Sequence, residues 1–393
     1  MKRNKKLLLF SLCAYLGFVL ASCSADKDEI SSQAPLTYAG HIASIDTYGA
    51  LIPDFTPLQL KAAGFSYTDI VHVKVGDFMS MDMPFTTGFN EVGILDPCLC
   101  DYNSVGKELS VSLLSGNVAE RIGGKVGDSI TITLKEKGGY KEMYEIMHSE
   151  YDTIFSKYGT AERFANFREV ITTGMAHGVL YRSSNPLNPK DNAARCRYVD
   201  RLAESVGIKT EIDLADTEAK IRDYHDRTDF DSPYCYNLFV NKQVVALGLS
   251  ADAFTGTFKQ KLGQGLRFMI QHEAPYLVHC NEGKDRCGFV SMLLEALAGA
   301  PYEELAADYM VTFDNFYHVK PGTHEYDIRR HLSIDRMIWL LDNESALTDC
   351  LSIDWDGINP KGFNLQQAAR HYILECGLTT EECDQLQNRL QGK

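Results

Sequence analysis

A cysteine and an arginine with five residues between them are the residues of this chain whose types and spacing best fit a chemical reaction. They are Cys280 and Arg286, in the stretch His-Cys-Asn-Glu-Gly-Lys-Asp-Arg-Cys-Gly that covers residues 279–288. The spacing and the flexible Gly283 let successive backbone N–H groups point inward, which forms an anion-binding nest at a helix N-terminus. Together with Lys284 and Arg286, this field favours a thiolate at Cys280. The guanidinium fork also holds two phosphoryl oxygens, so the stretch predicts phosphoryl transfer to sulfur.

The elements on either side of this stretch must position it. Residues 276–278 predict a short apolar strand, and residues 289–297 predict a long apolar helix that ends at Gly299. A loop from the end of a strand into a helix is where phosphates bind.

With this context, HCNEGKDRCG resembles the signature of cysteine-based protein tyrosine phosphatases. The resemblance is to the HCxxGKDRTG version of bacterial enzymes that also act on phosphoinositides. It implies that Cys280 is the nucleophile and that Arg286 stabilises the transition state. Asp285 is the first candidate for the general acid, with Asp216 and Asp252 left open. The remaining residues of the signature are predicted to bind the substrate phosphate: His279, Asn281, Glu282, Gly283, Lys284, Cys287 and Gly288.

One position departs from the family pattern. Cys287 replaces the hydroxyl residue that follows the arginine, and a thiol is a poorer hydrogen-bond donor to the departing sulfur. Two outcomes are open: slow hydrolysis of the phosphoenzyme, or reversible pairing with Cys280 as a redox brake.

Two further segments resemble the opening of the same family, namely Phe-Ala-Asn-Phe-Arg-Glu at 164–169 and Gly-Val-Leu-Tyr-Arg-Ser-Ser at 178–184. Two roles are open for Arg168 and Arg182 within them: lining the mouth of the substrate site, or forming structural ion pairs, of which the second is preferred. A helix over 192–206 and a strand over 208–214 follow, which is a step of an α/β sheet. Residues 234–240 predict another strand. The fold class is therefore α/β, with a three-layer α/β/α tyrosine-phosphatase-like domain at the C-terminus.

The preceding segment predicts a small β-barrel. Short alternating runs at 70–75, 109–113 and 129–134 are separated by Gly and Asp turns. The segment resembles the C-terminal barrel of S-adenosylmethionine hydroxide adenosyltransferases, in which the barrel helps to hold adenosine. The catalytic domain of those enzymes has no counterpart here, so we expect a docking, substrate-presenting or oligomerising role.

The first residues have the features of an export signal: a basic start, an apolar run over 7–20, and small residues before Cys23. Leu-Ala-Ser-Cys at 20–23 resembles a lipobox, which implies cleavage before Cys23 and lipidation of that residue. The predicted product is exported and lipid-anchored to the bacterial outer membrane. The predicted boundaries are a signal peptide at 1–22, a tether at 23–34, the barrel at 35–137, a helical linker at 138–160 and the catalytic domain at 161–393.

Composition excludes some classes of function. The formal net charge of −14 argues against a nucleic-acid partner, because phosphate backbones require a basic surface. No cluster has the spacing of metal ligands, so neither a metal nor another cofactor is expected. Of eleven cysteines, removal of Cys13 and acylation of Cys23 leave nine, an odd number that predicts at least one free thiol.

The sequence thus predicts a phosphomonoester hydrolase. Its expected substrate is a phosphorylated peptide, lipid or small molecule: phosphotyrosine, a phosphoinositide or an inositol phosphate. The alternative is a pseudophosphatase, a lipoprotein that binds a phosphorylated ligand without turning it over.

Overall fold

Seven strands close into a barrel in the N-terminal part of the structure, a computed structural model that describes residues 35–102, 106–148 and 150–393. Their order around the barrel is β1-β2-β6-β5-β4-β3-β7. Alternate residues point inward, as Val71, Val73 and Val75 do, and are completely buried. The predicted β-barrel is confirmed. The strands are β1 Thr37–Ile45, β2 Leu51–Pro53, β3 Ile70–Val75, β4 Met79–Thr86, β5 Pro97–Asp101, β6 Leu109–Leu113 and β7 Ser129–Glu136, with short helices α1 Pro57–Ala62 and α2 Val118–Ile122.

The predictions for the first 34 residues lie outside the described residues. They are the signal peptide, the tether and the lipidation of Cys23. Within the part of the chain that the structure does describe, no helix has the length and apolar character needed to cross a membrane.

A five-stranded sheet forms the centre of the C-terminal part, in the order β11-β10-β12-β9-β8. The strands are β8 Arg168–Glu169, β9 Leu180–Ser183, β10 Thr210–Asp213, β11 Val244–Ala246 and β12 Tyr276–His279. Neighbouring strands from β11 to β9 are parallel, and the edge strand β8 is antiparallel to β9. Crossover helices cover such a sheet on both faces.

Two helical layers cover this sheet, so the predicted three-layer α/β/α fold is confirmed. The helices are α3 Lys141–Met147, α4 Ala161–Ala165, α5 Pro189–Val206, α6 Glu218–His225, α7 Pro233–Val240, α8 Gly256–Gln271, α9 Asp285–Ala298, α10 Tyr302–Tyr317, α11 His324–Arg330, α12 Arg336–Asp342, α13 Leu365–Glu375 and α14 Thr380–Leu390. One apolar cluster joins α5, α6 and α7 to the sheet, and another joins it to α8, α9, α13 and α14.

One predicted strand is wrong, because residues 234–240 lie in helix α7. Pro233 occupies the first turn of this helix, where its fixed φ angle suits a helical start. Cys235, Leu238 and Phe239 are the buried residues, at a spacing of three and four that belongs to a helix. The run of apolar and aromatic residues had favoured a strand.

Within the predicted helical linker at 138–160, the described residues form the α-helix α3, which buries none of its residues, and a 3-10 turn at Phe155–Lys157. Tyr151 lies beyond α3 and stacks on Phe316 with ring centroids 4.8 Å apart. This segment therefore packs against the catalytic part through individual aromatic contacts.

Hydrogen bonds to backbone carbonyl groups join the barrel to the catalytic part, and residues 36–393 form one compact unit. The Ile94 N–H donates to Leu332 O at 2.9 Å, and Arg336 Nη1 donates to Ile94 O at 2.7 Å. Leu332 lies in the π-helical turn His331–Asp335, whose altered hydrogen bonding leaves carbonyl groups for other donors. Arg336 also lies 2.8 Å from Asp96 Oδ1. These contacts fix the barrel on the catalytic part.

We expect Arg336→Met to lower the free energy of unfolding by about 1–3 kcal/mol, because the Ile94 carbonyl loses a charged donor that is itself only 3% exposed. Urea titration measures the loss. Arg370→Met is the matched control: its ion pair with Asp384 lies at the surface, and its removal costs less than about 1 kcal/mol. Equal losses in the two variants would show that Arg336 does not fix the barrel.

Candidate active site

Three parallel strands end at the same edge of the sheet and place the signature stretch there. Asp213 of β10 and Ser183 of β9 both pair with His279 of β12. The chain then forms the loop 280–284 and enters α9 at Asp285. Because the carboxyl ends of parallel strands form the ligand crevice of an open sheet, this loop is the candidate active site.

The carbonyl groups of this loop are held by donors outside it. Asn166 Nδ2 donates to Glu282 O at 3.0 Å and to Gly283 O at 3.4 Å. Arg182 Nη2 donates to Gly283 O at 2.8 Å and to Lys284 O at 3.4 Å. The carbonyl oxygens therefore face away from the centre of the loop.

A fourth carbonyl is held in the same way, because the Asn185 N–H donates to Asn281 O at 3.0 Å. Among the described residues, none accepts a hydrogen bond from the backbone N–H groups of residues 281–284. With the oxygens held outward and the N–H groups without protein acceptors, the loop has the arrangement of an anion nest at the start of α9.

Gly283 is required by this loop for two reasons. Its φ angle is +72°, and a Cβ atom there would lie 2.3 Å from Ser183 O and 3.0 Å from Asn166 Nδ2. No other residue type fits this position without moving the strand or the amide that holds the loop.

Cys280 follows β12 directly and is 4% exposed. Cys287, one turn into α9, donates from its Sγ to Val278 O at 3.3 Å. Burial raises the pKa of Cys287 to about 11, with a smaller contribution from Cys280 that is opposed by Arg182. Cys287 is therefore a neutral thiol at physiological pH. The nine described cysteines are all free and buried.

Arg286 lies at the second position of α9, and its Nη1 donates to Leu249 O at 3.0 Å. No described residue accepts a hydrogen bond from its Nε or Nη2, so these donors remain for a ligand. The bond fixes the guanidinium beside the loop 247–255, which also carries Asp252.

Below the loop, Asp308 joins two arginines. Arg182 Nη1 lies 2.5 Å and Arg168 Nε 2.9 Å from its carboxyl oxygens. Burial alone would raise the pKa of Asp308, but the two arginines lower it to about 2. Arg168 and Arg182 are thus ion-paired, as predicted. Arg182 in addition holds the loop, a role that the sequence did not indicate.

His279 is fully buried between two acids. Its Nε2 lies 2.9 Å from Glu211 Oε1, and its Nδ1 lies 3.9 Å from Asp213 Oδ1. Burial opposes the charged imidazolium, but Asp213 and Glu211 raise the pKa of His279 overall. Asp213 Oδ1 also accepts from the N–H groups of Ala215 and Asp216, so it caps the turn after β10.

Lys284 is 16% exposed and pairs within the loop: its Nζ lies 3.3 Å from Glu282 Oε2 and 3.8 Å from Asp285 Oδ2. Its ammonium also lies 5.6 Å from the ring centroid of Tyr317. The lysine is therefore engaged by neighbouring side chains in this structure.

The three candidate general acids lie in different environments. Asp285 lines a cavity of about 60 Å³ between the barrel and the catalytic part, beside Ser115. Although 61% of its side chain is exposed, crowding by protein atoms raises its pKa, and the nearby Lys284 opposes this effect. Asp216 is buried and accepts from Asn185 Nδ2 at 2.7 Å.

Asp252, the third candidate, is tied to its own loop and to the barrel. It accepts from the Phe254 N–H at 3.1 Å, and its Oδ2 lies 3.8 Å from Arg121 Nη2. Burial raises the pKa of Asp252, and the Phe254 bond and Arg121 oppose this effect only in part. Asp285, the first residue of α9, is the candidate that directly follows the loop.

Sequence reasoning missed the residues that hold the loop and one cavity beside it. Asn166 stands in the first segment that resembles the family opening, and Asn185 directly follows the second. The spacing within those segments does not reveal a bond to residues more than ninety positions away. In the described part of the chain, no group of three or more His, Cys, Asp or Glu side chains has a geometry that could hold a metal ion.

Sequence comparison with known proteins finds matches to tyrosine phosphatases. The model of the tyrosine phosphatase family matches residues 159–392. A tyrosine-protein phosphatase of Nostoc commune is 29% identical over 144 residues, which cover 32% of this chain and 49% of that protein. The match thus spans about half the length of this relative.

Two solved structures share low identity with the chain. The core catalytic domain of a PP-IP phosphatase from S. cerevisiae, in complex with citrate, is 18% identical, and the match covers 48% of this chain and 100% of that domain with a TM-score of 0.25. An uncharacterised conserved protein from Thermotoga maritima is 19% identical over 25% of this chain and 38% of its own, with a TM-score of 0.23.

Proposed function

Because the chain belongs to the tyrosine phosphatase family, we propose that it hydrolyses phosphomonoesters through a covalent phosphate on Cys280. The observation that supports this most is the outward attachment of four successive loop carbonyls, those of residues 281–284. It leaves four inward N–H groups and Arg286 around the position of a phosphoryl group.

The reaction has two steps. Cys280 Sγ attacks phosphorus in line, so that an S–P bond forms while the bond to the leaving oxygen breaks, and that oxygen takes a proton from Asp285. Water then attacks phosphorus, its proton passes to the Asp285 carboxylate, and the thiolate leaves. Nε and Nη2 of Arg286 and the loop amides hold the phosphoryl oxygens throughout.

The assignment of the acid predicts a pH dependence. Asp285 donates only when protonated, so turnover of an alkyl phosphate, whose leaving group is poor, falls as pH rises through the raised pKa of Asp285. Asp285→Asn removes this fall in activity at high pH, the basic limb of the pH–rate profile, and lowers kcat by about 10²–10⁴-fold. Asp216→Asn and Asp252→Asn are the controls. If the limb disappears in Asp252→Asn and persists in Asp285→Asn, the acid is Asp252.

Cys287 supplies a neutral thiol to the second step. In the Cys287→Ser variant, a hydroxyl replaces a weaker hydrogen-bond donor near the departing sulfur, so we expect faster hydrolysis of the phosphoenzyme. With p-nitrophenyl phosphate as substrate, this appears as a smaller initial burst of p-nitrophenol. An unchanged burst, with no dependence of the parent on reductant, would remove both the slow-hydrolysis and the redox proposals.

The same proposal includes the substrate class, the role of the barrel and the location of the protein. The HCxxGKDRTG-like loop supports a substrate among phosphotyrosine, phosphoinositides and inositol phosphates. The barrel, similar to that of S-adenosylmethionine hydroxide adenosyltransferases, presents substrate to the loop, and its contact with α9 through the cavity at Ser115 supports this role. Cys23 carries the lipid that holds the exported enzyme on the outer membrane.

The test is release of phosphate from p-nitrophenyl phosphate in the presence of EDTA. The proposal expects turnover that vanadate inhibits and that Cys280→Ser abolishes. Cys350→Ser, a buried cysteine distant from the loop in sequence, is the control that retains turnover. Tight vanadate binding without any release of phosphate would instead identify a pseudophosphatase.

A further inference from the structure

The loop 247–255 lies between Arg286 and the barrel. Its Leu249 carbonyl accepts a hydrogen bond from Arg286 Nη1 at 3.0 Å. Phe254 of the same loop lines a cavity of about 30 Å³ together with Arg286 and with Ile94 of the barrel. A cavity of this size has room for only a few water molecules, so the loop, the arginine and the barrel pack closely around it.

The two ends of this loop are held by the catalytic part. The Leu249 N–H donates to Leu214 O at 2.8 Å, just after β10, and the Tyr372 hydroxyl donates to Ala253 O. Among the described residues, none accepts a hydrogen bond from the backbone N–H groups of residues 250–252. The middle of the loop therefore depends on side chains for its position.

Asp252 ties the middle of the loop to the barrel. Its Oδ1 accepts from the Phe254 N–H at 3.1 Å, and its Oδ2 lies 3.8 Å from Nη2 of Arg121 in helix α2. Only 13% of the Asp252 side chain and 17% of the Arg121 side chain are exposed. Because solvent ions screen a partly buried pair less than a surface pair, this contact holds the loop more firmly than an exposed ion pair does.

Arg121 is itself fixed on its other side. Its Nη1 donates to Leu347 O, in the 3-10 segment Glu344–Ser352 of the catalytic part. Its Nε is buried, and no described residue accepts a hydrogen bond from it. Because the guanidinium is a rigid plane, the bond to Leu347 also restricts where Nη2 lies. Arg121 therefore presents its charge to Asp252 in a fixed direction.

These contacts form a continuous chain from the barrel to the phosphate loop, through Arg121, Asp252, Leu249 and Arg286. Asp252 is only three positions from Leu249, so a displacement of its carboxylate also displaces the carbonyl that holds Arg286. The fork of Arg286 must align two nitrogens with two phosphoryl oxygens. A misplacement of about 1 Å that originates far from the reacting atoms lowers a rate by about 10²-fold.

We propose that Arg121 is a positioning residue for the phosphatase reaction. By holding Asp252 it fixes the loop, whose Leu249 carbonyl in turn fixes the guanidinium of Arg286. The proposal rests on the proposed function and assigns the barrel a part in the reaction besides the presentation of substrate. It also gives Asp252 a role other than that of proton donor.

The test is a double-mutant cycle on the full chain. We measure kcat and KM for p-nitrophenyl phosphate at constant ionic strength in the parent, Arg121→Met, Arg286→Ala and the double variant. Arg121→Met should lower kcat by about tenfold or more in the parent. In the Arg286→Ala background it should lower kcat by less than about twofold, because no guanidinium remains to be positioned. A purely structural loss would lower both backgrounds by the same factor.

Further variants check that the two side chains act as a pair. Asp252→Asn should lower kcat as much as Arg121→Met, and the combination should be no worse than either change alone. Arg121→Lys keeps the positive charge and should recover part of the loss. Arg267→Met, which removes another partly exposed arginine that pairs with Glu382 at 2.9 Å, is the matched control and leaves kcat unchanged.

An unchanged kcat in Arg121→Met, or equal losses in the two backgrounds, overturns the proposal. A much larger loss in Asp252→Asn than in Arg121→Met also overturns it, because Asp252 would then act on the substrate itself. If Arg121→Met fails to fold in a urea titration, Asp252→Asn completes the cycle with Arg286→Ala.

Calorimetric titration with vanadate repeats the cycle without turnover. Arg121→Met should weaken vanadate binding in the parent and leave it unchanged in Arg286→Ala, since vanadate occupies the position of the phosphoryl group. The positioning of Arg286 is thus tested even in a parent that releases no phosphate, a result that would contradict the proposed function alone. Equal weakening in both backgrounds would contradict the role of Arg121.

Discussion

Replacing Arg286 with alanine is expected to lower kcat/KM for p-nitrophenyl phosphate by about 10²–10³-fold. The side chain is fixed by its bond to Leu249 O, and its Nε and Nη2 have no acceptor among the described residues. Two donors in a fixed plane match two phosphoryl oxygens, and they strengthen as charge develops in the transition state. Steady-state kinetics at constant ionic strength provide the measurement.

Arg286→Lys separates charge from geometry. It retains the positive charge but loses the fork, so the expected rate lies between those of the parent and the alanine variant. Arg267→Ala removes an arginine that pairs with Glu382 and has no contact with the loop, and its kcat/KM should equal that of the parent. Full activity in Arg286→Ala would exclude the arginine from the reaction.

Replacing Arg182 with methionine is expected to lower the free energy of unfolding by about 3 kcal/mol. Arg182 is 1% exposed, and its loss leaves Asp308 buried with Arg168 as the remaining cation. The carbonyls of Gly283 and Lys284 also lose one of their two donors, so activity falls together with stability. Arg197→Met, which breaks an exposed pair with Asp231, should cost less than about 1 kcal/mol.

The pH dependence of stability gives a second measure of this pair. The folded pKa of Asp308 is about 2, below the value of about 4 for an unfolded aspartate. Because the pKa is lower in the folded state, the ion pair stabilises the protein at pH values above the unfolded-state pKa. This stabilisation is lost as pH falls from about 4 to about 2. Urea titrations across this window should show a steeper loss in the parent than in Arg182→Met. Parallel curves would mean that Arg182 does not lower the pKa of Asp308.

The signature stretch and the barrel could be predicted because their causes are local. Cysteine, glycine and arginine at fixed spacing determine the loop, and alternating apolar residues determine the strands of the barrel. Thr379 and Glu382, three residues apart, form a capping box at the start of α14, a pattern that can be seen in the sequence. Each of these patterns lies within one element and its immediate neighbours.

Features that depend on distant contacts could not be predicted in the same way. Asn166 reaches Glu282, and Arg336 reaches Ile94, across long sequence separations that depend on the completed fold. The helix at Pro233–Val240 was mistaken for a strand because short apolar runs have ambiguous periodicity. Helix α5 begins at Pro189 and is interrupted at Asn192, where the sequence predicted its start.

The central claim is that phosphate is transferred to Cys280. The most direct measurement is mass spectrometry of protein quenched in acid during turnover of p-nitrophenyl phosphate, with Asp285→Asn used to slow the second step. We predict one added phosphoryl group, located on the peptide that contains Cys280 and missing in Cys280→Ser. Turnover with no phosphorylated cysteine, or with the phosphoryl group on another residue, would contradict the mechanism.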